Sequence, residues 1–153
     1  MMMATKYLQR MNAFALLILV ASLFGLGVLI ADSAVPFKLV SATTNAPHVN
    51  GVLFIDAVVV RDLKRKCSVT VSRHIFDATG RRIDVMPSTY MPAEALEQLD
   101  AIAPGRLRLA VPLPWYISAG PAAFVTSLSY TCNDWHAIRP INTVMTVNFE
   151  VLP

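Results

Sequence analysis

The chain has 153 residues, room for one small domain plus appendages. Hydrophobic residues make up 55% of it, high for a soluble domain, and much of the excess sits near the front. The net charge is +3, but Lys6 and Arg10 supply two of the 13 basic residues, so residues 32–153 carry 11 basic against 10 acidic and are near neutral; bulk attraction to nucleic acid is not indicated, and no nucleic-acid partner is expected.

Residues 1–10 read as a short cytoplasmic tail. The run Met11–Ala31, MNAFALLILVASLFGLGVLIA, has no charge, and its only polar members are Asn12 and Ser22. A helix of that length rises about 30 Å, the thickness of a bilayer's hydrocarbon core. Residues 11–31 therefore read as a transmembrane signal-anchor helix, with the lipid bilayer as first partner. The run is longer than a signal-peptide core, and the exit IADSAV lacks a good small-x-small cleavage box. Lys6 and Arg10 precede it and only Lys38 follows closely, so the N-terminus should lie inside and residues 32–153 outside, in a periplasm or extracellular space. An exported domain stands where disulfides persist, which predicts a Cys67–Cys132 bond. The absence of a C-x-x-C pair argues against redox catalysis.

Residues 32–50, rich in Pro, Ser, Thr, Asn and Ala, suit a stalk, with VPFKLVSA as an optional edge strand. GVLFIDAVVV (51–60) is apolar on both faces, as a doubly buried strand would be. In CSVTVSRHIF (67–76), Cys67, Val69, Val71 and Ile75 share one face, and Arg73 interrupts it, a placement that suits the domain's rim. DATGRR (77–82) is turn chemistry, and IDVM (83–86) returns as a hairpin partner. PAEALEQLDAI (92–102) has a helical start at Pro92, early acids Glu94 and Glu97, and Leu96, Leu99 and Ile102 at helical spacing. GRLRLAVPLP (105–114) alternates, and Pro112 demands a strand end or a sheet edge. WYISAGP (115–121) reads as a loop. AAFVTSLSYTCN (122–133) and INTVMTVNFEVL (141–152) alternate as strands.

These elements predict an N-terminal transmembrane α-helix followed by an all-β antiparallel sandwich, residues 51–153, of immunoglobulin-like architecture with one short helix. Tyr130-x-Cys132 matches one immunoglobulin hallmark. Against family membership, no tryptophan follows Cys67 closely; Trp115 and Trp135 lie far downstream. Cys67 also begins its strand while Cys132 ends its own, which suits oppositely running strands.

Chemistry is sparse. A Cys67–His74–Asp77 triad fails because residues 67 and 74 alternate to opposite faces. Cys132 with His136 has ligand-like spacing, yet only Cys67, His48 and His74 are left to complete a zinc site. No enzyme activity, cofactor or metal is expected. Two features suit recognition. One is basic: Arg61, Lys64, Arg65 and Lys66 in one connection, with Arg81 and Arg82 at a turn, fit for anionic lipid or cell-wall polymer. The other is aromatic: Trp115, Tyr116 and Trp135 near strand ends, fit for a protein partner or a second copy. The reading is a non-enzymatic, membrane-anchored periplasmic binding or assembly module of an envelope-associated complex, bacterial or phage-encoded. Its rivals are a secreted or particle-associated structural sandwich after cleavage, and an envelope thiol or metal protein.

Overall fold

The computed structural model describes residues 2–62, 64–102 and 104–153, with side chains described for these except 2–13, 29, 31 and 99–102. The chain divides into two compact units, Met1–Ala34 and Val35–Pro153.

The first unit is a single helix, α1 (Met2–Ala31). Every described side chain in it is exposed. Side chains 11–13, 29 and 31 of the expected anchor lie outside the described residues. Among the described residues, no helix is long and apolar enough to cross a membrane.

The second unit is mostly antiparallel β-structure in two sheets. Its elements, in chain order, are β1 (Phe37–Thr44), β2 (Val52–Arg61), β3 (Ser68–Phe76), β4 (Arg82–Met91), α2 (Ala93–Ile102), β5 (Arg106–Pro112), β6 (Gly120–Thr131), α3 (Asp134–Ile138) and β7 (Ile141–Val151). The strand orders are β1-β2-β5 and β4-β3-β6-β7. Consecutive strands pair antiparallel in β1–β2, β3–β4 and β6–β7, and the chain changes sheets between β2 and β3, β4 and β5, and β5 and β6. Pro112 closes β5, an edge strand, where a missing N–H costs no ladder bond. Gly80 supplies the positive φ of the β3–β4 turn. The helix expected over 92–102 is α2; its Leu96 packs inward, while side chains 99 and 102 of the proposed apolar stripe lie outside the described residues.

Two sequence expectations are set against the structure. Of residues 32–50, read as a stalk with VPFKLVSA as an optional edge strand, the strand option is realised as edge strand β1, and residues 45–50 also belong to the second unit: Val49 N–H donates to Leu152 O at 3.0 Å while Leu152 N–H donates to Pro47 O at 2.8 Å. Backbone pairing, which side-chain composition does not encode, makes that stretch part of the fold. β2 is not doubly buried. Leu53, Ile55, Ala57 and Val59 face inward, whereas Val52, Phe54, Val58 and Val60 are exposed on the outer surface. A period of two places only one face of a two-layer sandwich in the core, however apolar the other face is.

The core has two parts. Near the β3–β4 turn both sheets contribute, with Leu53, Val111, Ile75, Phe124, Phe149 and Val151 packed together. Each such side chain, once buried, contributes about 1.5–3 kcal/mol. Towards the other end, Cys67, Val69, Val71, Leu128, Tyr130 and Ile141 form a second cluster, all from β3, β6, β7 and their immediate ends. Among the described residues, no fully buried member of β2 or β5 joins it.

Candidate functional site

The disulfide is formed. Cys67 and Cys132 stand just outside the β3–β6 ladder, whose last pair is Ser68 with Thr131, with S–S 2.07 Å and Cα–Cα 4.0 Å. The bond therefore ties neighbouring antiparallel strands of one sheet, as the positions of the two cysteines in their strands require. An immunoglobulin disulfide joins the two sheets. Both sulfurs are consumed, so neither is a nucleophile or a thiolate ligand in this state. His136 accepts a hydrogen bond at Nδ1 from the Cys132 backbone N–H at 3.4 Å, and its own N–H is capped by the Asn133 side chain at 3.0 Å. The Cys132–His136 spacing is thus the start of α3, a one-turn helix that alternation counting missed. The N-cap signal was present, an Asn followed by Asp134. His48 bridges to the opposite end of the sandwich, with Nδ1 2.8 Å from Pro153 O. Among the described residues no group of three or more His, Cys, Asp or Glu side chains is placed to hold a metal ion.

The turn DATGRR holds more than a turn. Asp77 is buried, and its carboxylate accepts from Thr79 Oγ1 (2.6 Å), Thr79 N–H (3.0 Å), Arg81 N–H (3.0 Å), Ser118 N–H (3.4 Å) and the Arg81 guanidinium (3.0 Å). Burial alone would push its pKa up; these hydrogen bonds together outweigh it and hold the carboxyl well below the usual range. Asp77 has no geometry toward Cys67, which lies at the other end of β3. His74 is buried against Phe76, edge to face at 5.1 Å, and its Nδ1 has no partner among the described residues. Burial first, and the Arg82 charge second, lower its pKa.

The candidate recognition residues fall at both ends. Arg81 also donates to Tyr116 O and lies over the Tyr116 ring at 5.3 Å. Trp115 stands edge-on to Tyr116 at 5.5 Å and is 76% exposed. The structure thus joins two features that sequence patterns single out separately, the Trp115–Tyr116 pair and Arg81, and Asp77 anchors the group through Arg81 and Ser118. Arg82 pairs with exposed Asp84 at 3.1 Å, a surface ion pair of little energetic weight. At the other end, Arg61 lies over Phe37 at 5.5 Å. Arg61, Arg65 and Lys66 border an inter-sheet cavity, whereas Lys64 is exposed in the same connection. Trp135 sits half-buried on α3, away from Trp115 and Tyr116.

The expected position of one inward residue is corrected. Arg73 does not sit at a rim: it occupies the inward-facing row of central strand β3, paired with Thr126 and Met86, and lines the cavity. The break it makes in the apolar alternation was the available signal. No protein-family model matches this chain, and no curated protein is significantly similar to it.

Proposed function

We propose that the chain is a non-enzymatic binding or assembly module, anchored in the cytoplasmic membrane through residues 11–31, with its sandwich outside and in contact with a protein partner of an envelope-associated complex. The observation that carries this reading is the pairing of an uncharged 21-residue run, preceded by Lys6 and Arg10 and by no acid, and a disulfide-closed domain after it. The run suits a bilayer, and the orientation rule exports the domain C-terminal to it. A disulfide suits that compartment. The strand orders support an immunoglobulin-like architecture: lettered A to G, they give A-B-E against C-F-G, with the fourth strand added at C.

The proposed contact surface is the Trp115–Tyr116 pair. Aromatic side chains held rigid and exposed suit an interface hot spot, because little rotamer freedom remains to be lost on binding. Arg81, held by Asp77, braces Tyr116, and Trp115 meets the Tyr116 ring edge-on. A topology test comes first: alkaline phosphatase fused after Pro153 should be active, and a green fluorescent reporter there should be dark. The reverse pattern overturns the reading. Intact-mass measurement then separates anchor from leader, since loss of the first 31–34 residues would favour a released sandwich. Crosslinking in intact cells should yield a partner whose capture falls about tenfold in Trp115→Ala, the loss typical of an aromatic hot spot.

A further inference from the structure

In the half of the sandwich nearer the disulfide, a cavity of about 380 Å³ lies between the sheets. Ala57, Leu107 and Leu109 line one wall; Val71, Leu128 and Met145 line the other. That volume and that apolar lining, with a few polar groups, are those of small-molecule sites. The polar group that stands out is Arg73. Its strand is paired on both sides, so the inward row is fixed. Its Nε is buried with no hydrogen-bond partner among the described residues, and Nη1 meets the Met86 thioether, at 3.7 Å. Asp62 and Glu97 also line the cavity, yet among the described residues no ion pair joins either of them to Arg73. Burial lowers the guanidinium's pKa, and no carboxylate offsets it. The residue is half-buried and its Nε is sealed from solvent without a carboxylate beside it, an arrangement that costs more than a leucine or methionine would.

We propose that this cavity binds a single-chain anionic amphiphile, a long-chain carboxylate, with its head on the Arg73 guanidinium and its alkyl chain running towards Tyr130 and Met145. The planar guanidinium fork matches a carboxylate. From Thr126, the ladder partner of Arg73, to Tyr130 the strand rises roughly 13 Å, a path walled by Val69, Val71, Leu128 and Met145 that ends beside the Tyr130 phenol, where Arg61, Arg65 and Lys66 border the cavity. A volume at the low end for ligand sites takes one chain rather than two. The inference goes beyond the anchored-module reading and does not depend on it.

The test uses the full chain in amphipol and a diazirine-bearing palmitate, with adducts mapped by mass spectrometry. Adducts should fall on cavity-lining residues of β3, β5, β6 and β7, and unlabelled palmitate should compete where hexadecanol does not. Arg73→Leu should cut cavity labelling about tenfold, the loss expected for a charge-assisted pair, without loss of fold. Arg73→Lys should keep part of it. Leu109→Trp, which fills the cavity, should abolish it, and with Arg73→Lys it decides the matter if Arg73→Leu does not fold. Adducts confined to α1 or to outer faces, equal competition by hexadecanol, or labelling unchanged in Arg73→Lys and Leu109→Trp would each overturn the proposal. So would a diacyl phospholipid or a peptide found in the cavity by native mass spectrometry.

Discussion

At the end of the sandwich where β3 turns into β4, a buried carboxylate gathers five hydrogen bonds and both sheets meet in one core. At the opposite end a covalent bond ties β3 to β6, the buried cluster belongs to one sheet, and a cavity separates it from β2 and β5. The first end is held by packing and polar satisfaction, the second by a crosslink. The difference teaches where this fold can spare stability. Apolar contact is given up where a disulfide compensates, and that is where the interior cavity lies.

Breaking the crosslink should have the largest effect. Replacing Cys67 and Cys132 together by Ser should cost about 4 kcal/mol in urea unfolding, on the chain-entropy reckoning for a loop of this length. Amide exchange should rise first around the cavity. A smaller cost would mean that this end packs better than its cavity implies. Matched truncations sharpen the contrast between the halves. Leu53→Ala, in the closed core, should cost about 3 kcal/mol. Leu107→Ala, half-buried on the cavity wall, should cost about 1 kcal/mol, because less of its surface is out of water. Equal values would erase the distinction.

Asp77→Asn should cost about 2 kcal/mol, since an amide cannot accept from every donor that now converges on the carboxylate. It should also change the acid response. The folded carboxyl releases its proton far more readily than the unfolded one, whose pKa is about 3.9. Its contribution is therefore complete above that value and drains away as pH falls below it towards the folded pKa. The Asn variant should lack that acid-limb slope. At the bottom of the scale, Trp115→Ala should shift thermal stability by less than about 0.5 kcal/mol, as an exposed side chain predicts, while partner capture falls. A large stability loss would make Trp115 a lid on the core rather than a contact.

Alternation in β3, β6 and β7 was legible because a two-residue period is written into neighbouring side chains. The pairing of Cys67 with Cys132 was legible for a related reason: one opens its strand and the other ends its own, which fits antiparallel neighbours. Asp77 shows in the sequence only as turn chemistry. DATG signals an Asx turn, but the donor from Ser118 arrives from 41 residues away. The Trp115–Tyr116 pair and Arg81 stand out as separate features, and their convergence depends on a connection between sheets.

The sequence by itself determined which residues alternate, where the chain turns, and that a long uncharged run precedes a domain with two cysteines. These are local patterns, and local sterics and transfer energies dictate them. Only the tertiary structure decided that the outer face of β2 is exposed, that the optional edge strand pairs with β2 as β1, and that Arg73 points between the sheets. Each of those depends on which strands become neighbours and how far apart the sheets stand, quantities set by the sum of long-range contacts.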